Sequence, residues 1–203
     1  LTVAASFYDM PFADGAIDVA VMVRVLHHAA DVPAVFREVR RVLRLGGLFI
    51  LEHANKRHLK AVLRYALGRG ANPYGLEPFE FARLNYDFHP VYVRKYLAEA
   101  GFVIEQERAV STFRVPLFKR LFSPALLARL DAALQRPPAP LRLSPSIYLR
   151  CRVAGDASVS APDRPLLRCL RCSGTRLEVE GLALVCSACS ARWPCGDGIY
   201  NFR

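Results

Sequence analysis

Between Ile17 and Val23 the chain is apolar with only Asp18 interrupting, and it is rich in Val and Ile without alternation. A run this short predicts a strand buried on both faces. It follows a turn at Asp14-Gly15. After Arg24-Val25-Leu26-His27-His28, Asp31 can cap a helix, with Pro33 in its first turn, where a missing N–H costs little. Val32, Val35, Phe36, Val39, Val42 and Leu43 fall on one face at helical spacing. Arg40, Arg41 and Arg44 gather at the negative end of the helix dipole, and Gly46-Gly47 is expected to stop the helix. Leu48 to Leu51 predicts a second buried strand. Strand, helix and strand joined by short connections form a right-handed crossover in a parallel sheet, whose ligands sit beyond the carboxyl ends of the strands. Arg24–His28 and Glu52–Asn55 reach that edge.

Further along, Asn55 to Gly70 has the pattern of a basic amphipathic helix capped by Asn55. Leu59, Val62, Leu63, Ala66 and Leu67 form its stripe, and Lys56, Arg57, Lys60, Arg64 and Arg69 take the other faces. Such a helix can lie on a membrane surface or along a phosphate backbone, or pack on the core with an ordinary wet face. Residues 70–89 hold Tyr74, Phe79, Phe81, Tyr86 and Phe88 among Pro and Gly, which suits a lid over the strand ends or a satellite cluster under a loop. Pro90 to Ala100 is a helix ended by Gly101, and Phe102 to Gln106 is a strand. Pro116 to Leu134 predicts one or two helices. Ser146 to Val153 alternates as a final strand, with Cys151 facing inward as a small core residue. Ala154 to Pro165 has a linker's composition.

Beyond the linker the chemistry changes. Cys169-x2-Cys172 and Cys186-x2-Cys189 offer four thiolates to one tetrahedral ion, which predicts a zinc site; two disulfides are the alternative. Leu177–Glu180 and Leu182–Val185 flank Gly181 as a small hairpin. So short a module cannot make a core alone, so the metal would supply its folding energy. Cys195 is spare. A closed four-cysteine site is structural and not catalytic.

Charge changes the picture only in its distribution. The net formal charge is +10, and residues 56–120 alone carry twelve basic against six acidic side chains. That basic middle permits nucleic acid or an anionic membrane as partner without requiring either. No uncharged apolar run is long enough to span a membrane, and no signal-peptide pattern stands at the start. A cytoplasmic location is expected.

The segments SFYDMPFADGAIDVAV, VRVLHHAADV and REVRRVLRLGGLFILE, from Ser6 to Glu52, resemble class I S-adenosylmethionine-dependent methyltransferases of the type 11 group. Met10-Pro11-Phe12 and Arg41-Val42-Leu43-Arg44-Leu45-Gly46-Gly47 carry the likeness most specifically. HPVYVRKYLAEAGFVIEQ is similar to the family's late helix and sixth strand. The resemblance implies an α/β fold, a doubly wound Rossmann-like sheet, in which the strand at 146–153 runs beside the fifth. It implies a division into 1–153 as methyltransferase domain, 154–165 as linker and 166–203 as zinc ribbon. The ribbon, with its Pro-x-x-Asp-Gly-Ile element at Pro194–Ile199, resembles the small zinc-ribbon proteins that activate methyltransferases.

By the same resemblance, Ser6 and Phe7 meet the adenine of S-adenosylmethionine, Arg24 and Val25 pass its methionine moiety, and His28 or its neighbour His27 serves as general base. The family's first strand and glycine-rich loop belong roughly 50 residues before Ser6, and no such loop occurs here; Gly68-x-Gly70 lies in a basic helical tail. A domain lacking that part is therefore expected, with Leu1–Ala5 as the tail of the strand before the adenine loop, and on that account the chain by itself is not expected to transfer a methyl group. The implied function is methyl transfer to a small, apolar acceptor, with zinc in a structural or recruiting ribbon. An RNA methyltransferase, or a non-catalytic domain that binds a partner through its basic face, is the alternative.

Overall fold

The computed structural model describes residues 1–111, 116–133, 135, 143–155 and 164–203, with the side chains of 116, 117 and 119 left aside. Most of the linker expected at Ala154–Pro165 lies outside the described residues. The fold is α/β, with a cysteine-bearing module formed by the C-terminal residues.

Four strands make the main sheet: β2 (Ile17–Met22), β3 (Leu43–Ala54), β6 (Phe102–Val110) and β7 (Ser146–Val153), in the order β2-β3-β7-β6. The strand at 146–153 lies between β3 and β6. Helix α1 (Val32–Val42) joins β2 to β3. Its predicted face is the one buried: Val32, Val35, Phe36, Val39 and Val42 have almost no exposure. Each contributes about 1.5–3 kcal/mol of burial.

Two expectations fail here. The strand at 17–23 is not buried on both faces. As the edge of its sheet β2 leaves Val19 51 % and Val21 66 % exposed, because apolar composition reports a strand's taste for cover and not whether a neighbour supplies it. Nor does Gly46-Gly47 stop α1. The helix ends at Val42, and β3 begins at Leu43 and runs through both glycines. Gly46 takes φ +70°, and a Cβ on Gly47 would stand 2.8 Å from the Arg44 carbonyl oxygen, so the pair serves a bend inside a strand.

By compactness the chain divides into two units. One comprises residues 21–32 and 49–152. Its core gathers Phe49, Leu51, Phe88, Leu97, Ile147 and Leu149, with the Phe49 and Phe102 rings 5.4 Å apart. Helix α3 (Pro90–Glu99) begins at His89, whose ring accepts the Val91 N–H, and ends before Gly101 at φ +85°. Helix α2 (Leu59–Ala66) is shorter than the sequence suggests and is capped by His58, not Asn55. Asn55 is buried and spoken for: its Nδ2 donates to the Ser144 carbonyl and its own N–H to that of Pro145, both at 2.8 Å. No residue of α2 is buried, so the core-packed alternative does not hold. The ring-rich segment forms a hairpin, β4 (Phe79–Ala82) and β5 (Asn85–Asp87), with a register shift at Phe81. Helices α4 (Pro116–Leu121) and α5 (Pro124–Ala133) fulfil the expected pair.

The other unit comprises residues 1–20, 33–48 and 153–203. A five-stranded sheet runs β1-β11-β10-β9-β8, from β1 (Thr2–Ala4), β8 (Leu177–Glu180), β9 (Ala183–Cys186), β10 (Arg192–Gly196) and β11 (Ile199–Asn201). The hairpin expected around Gly181 is β8–β9. The strand expected at Leu1–Ala5 is β1; unforeseen is its parallel pairing with β11, Thr2 opposite Ile199.

Candidate functional site

In the unit of residues 21–32 and 49–152, a cavity of about 940 Å3 has a mixed wall. Arg24 follows β2 with φ +58°, a left-handed turn that drives its N–H onto Glu52 Oε2 at 2.9 Å. Glu52 is itself buried near the end of β3. Val25 then gives its carbonyl to the His28 N–H, 2.9 Å away, and so shapes the single turn Leu26–His28. The rings of His27 and His28 lie 3.9 Å apart and point to different tasks. His28 is exposed, outside the cavity lining, with Nδ1 donating to the Leu84 carbonyl at 3.2 Å. His27 lines the cavity beside Arg24 and Glu52. Burial, and then the neighbouring His28, hold its pKa below the usual imidazole range, so at neutral pH it is uncharged and able to take a proton.

Three polar residues of the lining, His58, Asp87 and Asp131, were not foreseen from the sequence. They line the cavity together with Phe81, Phe122 and Leu127. Burial raises the Asp87 carboxyl, against the pull of His58 and His27. His58 uses Nδ1 to accept the Ala61 N–H at 3.2 Å, which leaves its proton on Nε2. The one sequence signal was the loop's density of rings, since Phe81, the residue at the register shift, is the one that turns to the cavity.

Ser6 and Phe7 belong to the other unit, in the turn that follows β1. Ser6 Oγ accepts the Tyr8 N–H at 3.2 Å and is exposed, and the Phe7 ring sits 4.5 Å from that of Tyr8. A hydroxyl oxygen can accept from an adenine amine, and a ring face can stack on the base. The turn is held firmly downstream. Met10 N–H donates to Glu38 at 2.7 Å, while Arg41 grips Glu38 together with the carbonyls of Met10 and Phe12. Burial works against the Glu38 carboxylate, but Arg41, the Met10 N–H and Arg168 outweigh it and hold it below its ordinary range. Arg168 also reaches Asp9 at 2.6 Å, and its N–H donates to the Pro11 carbonyl at 3.0 Å.

Arg168 immediately precedes the first cysteine of the expected metal site. The Sγ atoms of Cys169, Cys172, Cys186 and Cys189 all lie within 4.8 Å of one another, and Cys169–Cys189 and Cys172–Cys186 are 3.6 Å apart. Four sulfurs about 2.3 Å from a tetrahedral zinc stand about 3.8 Å from each other, so the donor set fits. The two knuckles repeat one geometry. Ser173 and Ser190 both take positive φ, and each donates its N–H at 2.8 Å to the carbonyl of the first cysteine of its pair. The Ala188 N–H helps bring Cys186 down to about 7, toward the thiolate a metal takes. Cys151, by contrast, is fully buried and pushed up to about 12 by that burial, as befits a core thiol.

Residues 1–51 match the family model described as a methyltransferase domain. Two curated relatives from Botryococcus braunii, sterol methyltransferase-like 1 and 2, are 36 % and 34 % identical over 77 residues, 34 % of this chain. The matched stretch spans a fifth of the length of those relatives. Among solved structures, a methyltransferase from Thermotoga maritima aligns with 74 % of this chain and 62 % of its own at 14 % identity and a TM-score of 0.47. Over its N-terminal residues the chain is thus similar to methyltransferases.

Proposed function

We propose that the protein transfers a methyl group from S-adenosylmethionine to a small, largely apolar acceptor, with residues 1–153 as the catalytic part and 166–203 as a zinc ribbon that supports it. The match of residues 1–51 to a methyltransferase domain carries the class. The acceptor reading is supported by the Phe81, Phe122 and Leu127 wall of the cavity, and it accords with relatives named sterol methyltransferase-like. S-adenosylmethionine supplies the methyl group as a sulfonium. What these residues do is orient and manage a proton: neutral His27 receives it from an acceptor O–H or N–H, Glu52 fixes the Arg24 turn, and Ser6 and Phe7 serve the adenine.

The ribbon's role follows from its contacts with the residues around that adenine turn. β11 pairs with the strand before it, and residues 166–168 hold the segment after it, through the Ala13 N–H to Leu166 carbonyl bond at 3.0 Å and the Arg168 contacts with Asp9 and Pro11. A cytoplasmic setting, which keeps thiols reduced, belongs to the same proposal.

Because the chain by itself is not expected to transfer a methyl group, the test supplies it with the first strand and glycine-rich loop of a methyltransferase domain and incubates it with methyl-labelled S-adenosylmethionine and a cell extract. Label is expected in the organic-soluble fraction, with His27→Ala cutting the rate by roughly 10²–10⁴. Label confined to RNA overturns the acceptor, and failure to bind S-adenosylmethionine or to transfer any label overturns the class.

A further inference from the structure

Leu59 and Leu63 of α2, and Leu67 that caps its end, are spaced one turn apart, and nothing among the described residues covers them. Leu59, Leu63 and Leu67 are 49 %, 54 % and 73 % exposed. Next to this stripe, one position on, stand Lys60 and Arg64, both exposed. Residues 55–70 hold five basic side chains and no acidic one. Lys56 is not available to a ligand, since its ammonium is given to the carbonyls of Gly75 and Glu77 at 3.0 and 2.7 Å. Alongside α2 runs a groove of about 360 Å3 lined by Lys60, Arg64, Asn72, Phe79 and Phe81. β4 on its far side is exposed along its whole length.

We propose that α2 and the β4–β5 hairpin dock on an anionic lipid bilayer, with Leu59, Leu63 and Leu67 in the acyl boundary and Lys60 and Arg64 on the headgroup phosphates. An apolar stripe edged by cations, on a helix too polar overall to span, is the composition of a helix that lies in the interface plane. A nucleic acid would use the cations and leave the leucines in water. An apolar protein surface would use the leucines and leave two cations desolvated without partners. A bilayer with anionic headgroups satisfies both rows at once, each cation strengthening binding roughly fivefold. The docked face adjoins the reaction cavity, because Phe81 and His58 line both the groove and the cavity.

Co-sedimentation of the whole protein with vesicles tests this. Binding is expected to an equimolar mixture of phosphatidylcholine and phosphatidylglycerol, to be weak on phosphatidylcholine alone, and to fall as salt rises. Leu63→Glu, and separately Lys60→Glu with Arg64→Glu, should each lower the partition coefficient by roughly tenfold or more while the circular dichroism stays that of the wild type, the replaced side chains being exposed. Wild type that ignores anionic vesicles, or variants that bind as well as wild type, would sink the proposal. So would light scattering that shows Leu63→Glu breaking a dimer, which would make a second copy the occupant, or an RNA complex that depends on the two cations with vesicle binding absent. The inference rests on exposure and charge, independent of the acceptor. Vesicle binding without organic-soluble label therefore counts against the acceptor alone, and label without vesicle binding against this face alone.

Discussion

His58 and His89 begin α2 and α3 by the same device. Each accepts, through Nδ1, a backbone N–H of the first turn, which only a neutral ring can do. Burial lowers both pKa values from 6.5, and that of the fully buried His53 as well. The unfolded chain therefore binds more protons than the native one just below the ordinary value, so stability is complete above about pH 6.5 and is lost as pH falls toward the lowered native values. Asp87 works the other way, its raised carboxyl favouring the folded state at more acid pH. We predict that urea midpoints drop between pH 7 and 5, and that His58→Asn and His89→Asn, which keep a cap but do not titrate, flatten the slope. An unchanged slope in the double variant would discount the caps as its source.

β3 shows what elements ask of single residues. Gly47 lies where a side chain would meet the Arg44 carbonyl oxygen at 2.8 Å and that of Asp18 at 3.2 Å, both backbone atoms that cannot step aside. Gly47→Ala should cost about 1–3 kcal/mol, read as a lower thermal midpoint, whereas Gly181→Ala meets no atom within 4 Å and strains only its turn. The same strand marks where pattern reading ends. Leu43 and Arg44 continue the helical face of α1 in spacing, so nothing local announces that strand begins there. The start and buried face of helix α1, and the whole of strand β7, were legible by contrast, because their apolar periods match a buried face that exists. The exposure of Val19 and Val21 was hidden, since cover is a property of neighbours. The cysteines declared their site by spacing alone. His58, Asp87 and Asp131 did not, because only the folded chain brings them to one cavity.

Across the whole molecule, the metal module is woven into the residues at the other end of the sequence. If zinc supplies roughly 10–16 kcal/mol to such a ribbon, its removal should reach well beyond the cysteines. Chelation, or Cys172→Ser, is expected to release about one zinc per chain and to strip hydrogen-exchange protection from the amides of Met10, Ala13 and Phe202, while leaving those of Leu97 and Leu149 slow. Protection retained at Met10 and Ala13 in the metal-free protein would show that the turn stands without the ribbon.

The parallel pairing of Thr2 with Ile199 also has a consequence in time. A ribosome delivers Thr2 well before its distant partner Ile199, so β1 leaves the tunnel with no strand to join and waits until the cysteine module has been made. During that interval its backbone donors and acceptors are open to chaperones or to other nascent chains. The chain can close only once Cys186 and Cys189 have emerged and found their ion. If the four cysteines take zinc, its supply would set how long β1 stays unpaired.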